Sequence, residues 1–253
     1  MVLLSGIRGQ DNAVRYLSNS LAHGRISNGY LFAGPQGVGK ALAARAFLMA
    51  LMCPKSGRSG ACGECPVCGK VGALEHPDIM WIRPGKNRTI RIDDIRRAKD
   101  RLHLKPYESP VSACVIEDAD MMTPVASNAL LKLLEEPPGR SLLILISSRR
   151  ELLLPTVVSR CEEVRFQYLS AAETKDIIMR HSDMDEETAC FLGYLSEGSP
   201  GRALELTDKK ILARRNGIAD FMEKMAGEKD ASCLNWDREG REELLGDLEL
   251  LMT

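Results

Sequence analysis

Residues 29–44, Gly-Tyr-Leu-Phe-Ala-Gly-Pro-Gln-Gly-Val-Gly-Lys-Ala-Leu-Ala-Ala, constrain the fold more than any other stretch of this chain. A short apolar run (Tyr30, Leu31, Phe32) enters a glycine-rich turn and leaves it through an alanine-rich segment, which reads as strand, loop and helix. Gly34, Gly39 and Lys40 fit the phosphate-loop spacing G-x-x-x-x-G-K, with Gly37 as an extra glycine inside it. Glycines let backbone N–H groups turn inward around phosphate oxygens, and the following helix aims its positive end at them. Lys40 adds a point charge near the outer phosphates of a nucleotide such as ATP or ADP. The next position usually carries a Ser or Thr whose hydroxyl holds Mg²⁺. Here it is Ala41. The loop reads as a nucleotide cradle with one metal contact missing.

The rest of the chain must supply a sheet for that loop. With 253 residues there is room for one large or two small domains with a real core. Lys plus Arg number 34 against 35 for Asp plus Glu, a net charge of -1, which excludes a strongly basic nucleic-acid coat. The opening Met-Val-Leu-Leu-Ser-Gly-Ile-Arg is too short in apolar length for a signal peptide. No apolar run approaches the roughly 20 residues that span a bilayer. A cytoplasmic protein with no membrane partner is the expectation.

Four of the eight cysteines, Cys53, Cys62, Cys65 and Cys68, fall within a polar, turn-rich segment. Two overlapping C-x-x-C steps plus a fourth cysteine describe a four-thiolate zinc site. An iron–sulfur cluster is the rival, but the ferredoxin run asks for a further cysteine at position 72, where Gly72 stands. Four unrelated buried thiols would suit an apolar segment better than this one. No nucleophile accompanies the cluster, so the expected metal is structural and replaces a core in a knuckle over about 53–68. Cys114, Cys161, Cys190 and Cys233 are scattered and read as small buried hydrophobes.

Alternation of apolar and helical segments sets the architecture. Ile7, Val14 and Leu17 mark a helix beside the phosphate-loop strand, and residues 41–51 form the helix after the loop. Strands are expected at 78–82, 111–116, 142–146 and 163–166. The second of these ends in Glu117 and Asp118, a carboxylate pair that beside a phosphate-loop strand can hold Mg²⁺ and orient a water. Residues 83–105 are the most basic stretch, with Arg83, Lys86, Arg88, Arg91, Arg96, Arg97, Lys99 and Arg101 against Asp93, Asp94 and Asp100. Asp93 can cap a helix there whose apolar stripe is Ile95, Ala98 and Leu102. That helix reads as a solvated face or a nucleic-acid contact, and its few aromatics argue against base stacking. A helix over 127–136 is stopped by Pro137 and Pro138. The sum is a three-layer α/β domain with a mostly parallel sheet over 1–169, its ligand lying off the strands' carboxyl ends. From Ser170 the pattern becomes all-helical. A capping box (Ser170, Glu173), a second helix over 186–195 and a third opened by Gly198-Ser199-Pro200-Gly201 make a small helical domain over 170–208. Residues 209–253 are charged and helix-prone, the expected start of a further helical domain, incomplete within the amphipathic run 242–251.

Taken together, these motifs resemble the AAA+ clamp-loader family. The likeness covers roughly 5–208 and rests on Gly-Pro-Gln-Gly-Val-Gly-Lys, the four cysteines and His76-Pro77-Asp78. It rests also on residues 128–138 (Asn-Ala-Leu-Leu-Lys-Leu-Leu-Glu-Glu-Pro-Pro), 155–161 (Pro-Thr-Val-Val-Ser-Arg-Cys) and 198–204 (Gly-Ser-Pro-Gly-Arg-Ala-Leu). The resemblance implies an AAA+ P-loop domain with a helical lid and the start of a collar. It implies a place in a hetero-pentameric loader of the bacterial replicative polymerase, a nucleotidyltransferase complex, with gamma/tau-type and delta-type partners. Such a loader opens a sliding clamp and sets it on primer-template DNA. The resemblance further implies that Arg160 reaches a neighbouring subunit's ATP site as an arginine finger, worth about 10³–10⁵ in rate at such sites. Read from composition alone, Arg160 is an ordinary surface arginine. Ser147 or Ser148 matches the family's sensor position, though either can be a simple strand cap.

Three departures point to a largely rigid member that hydrolyses ATP weakly or not at all. Ala41 lacks the metal hydroxyl. Glu117-Asp118 reverses the usual Asp-Glu order, and misplacing a catalytic group by about 1 Å can cost on the order of a hundredfold. The sensing arginine of motor subunits is matched by Gly201, with Arg202 one place on, a rotation of about 100° on a helix. An ATP-hydrolysing gamma/tau-type subunit is the alternative. A stand-alone P-loop kinase leaves the cysteines and Ser-Arg-Cys unexplained, and a DNA-binding module suits the near-neutral charge poorly.

Overall fold

The computed structural model describes residues 2–57, 60–85 and 87–206. The helix-prone tail expected over 209–253, the last two residues of the expected lid, and Lys86 of the basic stretch lie outside the described residues.

Five parallel strands form one sheet: β1 (Gly29–Ala33), β2 (Ile79–Ile82), β3 (Ser112–Ile116), β4 (Ser141–Ser147) and β5 (Glu162–Arg165), in the order β2-β3-β4-β1-β5. The acid-bearing strand β3 is therefore not beside the phosphate-loop strand, as the sequence suggested. Strand β4 separates them, and its Leu/Ile run is buried along all seven residues, which suits the centre of a parallel sheet. Registers Ala33↔Ser147 and Ile116↔Leu145 bring the carboxyl ends of β1, β4 and β3 to one edge.

Both faces of the sheet are covered, because alternate residues of each strand point to opposite sides. Tyr30, Phe32, Val115, Ile144 and Ile146 pack with Leu17 of α1 (Asp11–Ala22) and Phe47 of α2 (Lys40–Met52). Leu31, Ile116, Leu143 and Leu145 pack with Ile95 of α4 (Ile92–His103) and Leu130 of α5 (Pro124–Glu135). This is the expected three-layer α/β arrangement. Between α2 and β2 a short helix, α3 (Pro66–Gly72), carries Cys68 and Val71 into the first core. Its seven residues include two glycines, and sequence periodicity does not reveal it.

Helix ends differ locally from expectation for identifiable reasons. Helix α5 begins a turn early, since Thr123 Oγ1 accepts the Ala126 N–H at 3.3 Å and Pro124 fits the first turn. Helix α4 is closed by Asp94, whose carboxylate accepts the Arg91 N–H at 2.8 Å, while Asp93 sits within the first turn and pairs with Arg96 at 3.1 Å. After α6 (Pro155–Val158) and β5, the chain becomes helical as anticipated: α7 (Ala171–His181), α8 (Glu186–Leu195) and α9 (Pro200–Glu205). Glu173 N–H donates to Ser170 Oγ at 3.2 Å, and Ser170 N–H returns a bond to Glu173 Oε2 at 2.9 Å. Among the described residues no helix is long and apolar enough to cross a membrane.

The His76-Pro77-Asp78 motif is a structural clamp. The Asp78 carboxylate, its side chain fully buried, accepts the N–H groups of Tyr107 (2.7 Å), Glu108 (2.9 Å) and Ser109 (3.0 Å), the Ser109 hydroxyl (2.9 Å) and Arg101 Nη2 (3.1 Å). His76 Nδ1 accepts the Asp78 N–H at 3.1 Å, and its Nε2 lies 3.5 Å from Glu108, which also holds Lys70 of α3 at 2.7 Å. Burial pushes the Asp78 carboxyl up, but the three loop N–H groups and the hydroxyl outweigh it and hold it at about 2. Asp78→Asn should cost on the order of 3 kcal/mol at pH 7 in denaturant unfolding, because buried donors lose their charged acceptor. The folded pKa lies below the unfolded value of about 3.9, so this stabilisation is complete above that value and fades as pH falls toward 2. The gap between wild type and variant should accordingly narrow below pH 4.

Candidate functional site

Gly39, with φ of 98°, caps α2, and Lys40 opens that helix with only 6 % of its surface exposed. The ammonium is turned back onto its own loop: Lys40 Nζ donates to the Gly34 carbonyl at 2.6 Å and to that of Pro35. Burial lowers its pKa to about 8, against the opposing pull of the Asp118 and Asp120 carboxylates. Gly34, Gly37 and Gly39 thus belong to one loop that enters α2 through Lys40 and Ala41, with the lysine's charge engaged on the loop.

The carboxylates at the sheet edge do not act as one pair. Glu117 forms two 3.0 Å hydrogen bonds with Arg83, which follows β2, so its carboxylate is committed there. Asp118 has φ of 49°, and its carboxyl is pushed up by burial and by the charges of Asp120 and Glu117, with Lys40 and Arg149 opposing. Asp120 is the buried member, its side chain 1 % exposed. It accepts hydrogen bonds from Ser147 Oγ at 2.8 Å and Arg149 Nε at 3.0 Å, which ties Ser147, one of the two serines expected at a sensor position, to a neighbouring acid. Ser148 instead lines an open cleft with Gly34, Pro35, Arg150 and Arg165. Asp120 and Arg149 went unnoticed in the sequence; only the third acid of Glu-Asp-Ala-Asp hinted at the former.

The helical segment closes directly on the phosphate loop. Ser199 Oγ donates to the Gln36 carbonyl at 2.8 Å, and the Gly201 N–H donates to the Gly37 carbonyl at 2.9 Å. Both glycines are required by this approach. A Cβ on Gly37 would fall 2.3 Å from Ser199 Oγ, and one on Gly201 would fall 2.7 Å from Gly37 Cα. A larger residue at 201, such as the sensing arginine of motor subunits, does not fit this packing, and Arg202 lines a cleft with Gln36 and Gly37, its guanidinium 3.7 Å from Glu197. Gln10, 4 % exposed, completes the closure by exchanging two hydrogen bonds with the Gln167 backbone at 2.7 and 3.0 Å.

A second centre is formed by Cys53, Cys62, Cys65 and Cys68, whose sulfurs all lie within 4.8 Å of one another. Three of the separations are 3.6 Å (Cys53–Cys62), 3.8 Å (Cys53–Cys65) and 3.9 Å (Cys62–Cys68). A tetrahedron with metal–sulfur bonds of about 2.3 Å has edges of about 3.8 Å, so the donor set and its spacing fit a metal ion such as zinc. The backbone N–H groups of Glu64 and Cys65 pull the Cys62 thiol down to about 6, and burial pushes Cys68 up to about 12.

Arg160 stands apart from both centres, in the turn after α6. Its guanidinium is partly exposed; Nη1 donates to the Thr156 carbonyl at 3.0 Å and Nη2 meets Glu135 Oε1 at 2.8 Å.

Comparison with known proteins agrees with this geometry. The family described as DNA polymerase III, delta subunit, matches residues 9–170. The DNA polymerase III subunit delta' of Pseudomonas aeruginosa is 32 % identical over 208 residues, covering 81 % of this chain and 63 % of that protein. The delta' subunit of Bacillus subtilis is 30 % identical over 225 residues, covering 84 % of this chain and 68 % of that protein. The tau subunit of the same organism is 28 % identical over 208 residues, 80 % of this chain but 37 % of its own length. The chain thus spans about two thirds of the length of these delta' relatives and less of tau. Among solved structures, the RuvB Holliday junction branch migration motor of Thermotoga maritima superposes with a TM-score of 0.59 at 17 % identity, covering 99 % of this chain and 79 % of that one, a likeness of fold alone. With a phosphate loop on a parallel sheet and a family match over most of the described residues, the chain belongs to the DNA polymerase III delta-subunit family.

Proposed function

We propose that this chain is a clamp-loader subunit of a bacterial DNA polymerase III holoenzyme, helping to set the sliding clamp on primed DNA. It stands beside an ATP-hydrolysing gamma/tau-type subunit and a delta-type subunit, and it supplies Arg160 to the neighbour's ATP site. Its own site turns over ATP weakly or not at all. The observation that carries the last point is the self-engaged loop: Lys40 on the Gly34 and Pro35 carbonyls, with Ser199 and Gly201 seated on Gln36 and Gly37. Two of the three Lys40 N–H donors are spent on its own loop, which leaves one for a phosphate, and Ala41 and the Arg83-bound Glu117 leave Mg²⁺ poorly held. Residues 1–169 act as the AAA+ domain and 170–208 as its lid.

The four cysteines hold structural zinc. A bound ion would cross-link the end of α2 to α3 through these thiolates, and the cysteine backbone orients the donors: the Cys62 N–H points at Cys53 Sγ and the Cys68 N–H at Cys65 Sγ, each at 3.5 Å.

An ATP-hydrolysing gamma/tau-type subunit is the second reading, favoured by the tau match. Turnover separates the two. The purified chain should hydrolyse ATP at least about a hundredfold more slowly than a gamma/tau-type subunit under the same conditions. It should also co-elute with such a subunit in size-exclusion chromatography. Brisk turnover by the isolated chain overturns the first reading.

A further inference from the structure

The mechanism proposed above uses Arg160 but leaves its ion-pair partner without a role. Glu135 is the last residue of α5, which stops before Pro137 and Pro138, so its place beside the turn after α6 follows from where that helix ends. The turn itself is fixed: the Arg160 N–H donates to the Val157 carbonyl at 3.2 Å, and Ser159 Oγ donates to the Thr156 carbonyl at 3.2 Å. From this turn the guanidinium reaches the Thr156 carbonyl with Nη1 and the Glu135 carboxylate with Nη2. Two elements distant in sequence therefore converge on one exposed cation, at its reacting end.

We propose that Glu135 is a positioning residue for Arg160: it holds the guanidinium on its own chain until the phosphoryl group of a neighbour's ATP offers a stronger anion. This rests on the reading of Arg160 as a finger in trans. A guanidinium carries five N–H donors, and three are engaged here, on the Thr156 carbonyl, on Ser159 Oγ at 3.5 Å and on Glu135, so the group is oriented while two donors remain for a partner. The carboxylate at 2.8 Å offsets the positive charge that a finger must bring to the transition state. Both side chains are more than a third exposed, at 38 % and 48 %, so the pair is weak enough to be exchanged on assembly.

The consequence is a rise in rate when the carboxylate is neutralised. In the complex assembled with gamma/tau-type and delta-type partners, Glu135→Gln should raise ATP turnover measured without DNA by roughly 1.5- to 5-fold, the range that an exposed ion pair commands. The same substitution placed on Arg160→Ala should change nothing, because the group it releases is gone; a merely structural effect of Glu135 would appear in both backgrounds. Turnover that is unchanged or lowered by Glu135→Gln, or altered equally with and without Arg160, overturns the proposal while leaving the finger in place. If Arg160→Ala itself leaves turnover intact in a verified complex, the finger reading falls and Glu135 falls with it.

Discussion

Stripping the metal from Cys53, Cys62, Cys65 and Cys68 should unfold the segment around them and lower the melting temperature by more than about 10 °C. Apparent binding energies of about 10–16 kcal/mol for structural zinc at neutral pH become folding energy where no preformed site exists in the unfolded chain. Here the cluster ties a polar, turn-rich segment to the edge of the first core. Cys68 and Val71 are fully buried against α2 although α3 has only seven residues, and the loop between Cys53 and Cys62 is built of Pro, Gly, Ser, Lys and Arg apart from Ala61. Each kcal/mol lost is worth about 2–4 °C in a domain of 150–250 residues, so losing even part of that energy exceeds the threshold. Elemental analysis should find one zinc per chain, and Cys65→Ser should lose it. Cys161→Ser, which alters a cysteine outside the cluster, should retain it. A wild-type chain that folds equally well with and without chelator removes the structural role.

The local motifs were legible because their physics is local. Spacing alone gives the phosphate loop, the four thiols, the Ser170–Glu173 capping box and α8, since each is set by residues a few positions apart. What escaped was set by distant partners. No pattern in 111–118 indicates that β4 inserts between β3 and β1, because all three runs are buried throughout and their order is set by pairing between distant segments. Asp120 became the acid of Ser147 only through that order. The reversal of Glu117 and Asp118 read as a small displacement, whereas Glu117 is turned wholly to Arg83, 34 positions away. Gly201 looked like a missing arginine, and the structure adds why glycine is needed there: α9 touches Gly37 across more than 160 residues. Likewise Glu135 read as part of a helix-stopping motif, with nothing to join it to Arg160.

Removing the guanidinium of Arg160 is expected to cost the neighbouring site about 10³–10⁵ in turnover, the range of arginine fingers supplied in cis or in trans. The fold should hardly notice. Arg160 is exposed, and its pair with Glu135 is of the surface kind, worth about 1 kcal/mol at most. Arg160→Lys should recover little of the rate, since an ammonium keeps the charge without the planar fork that spans two phosphoryl oxygens. The two variants together separate charge from geometry in the same complex.

The decisive measurement is the DNA-stimulated ATPase of a complex whose assembly with Arg160→Ala has been verified by size. It should drop to what the sites not served by this chain supply, while the isolated variant melts within a few degrees of wild type. An undiminished ATPase in that complex would mean that this chain gives its neighbour no catalytic group.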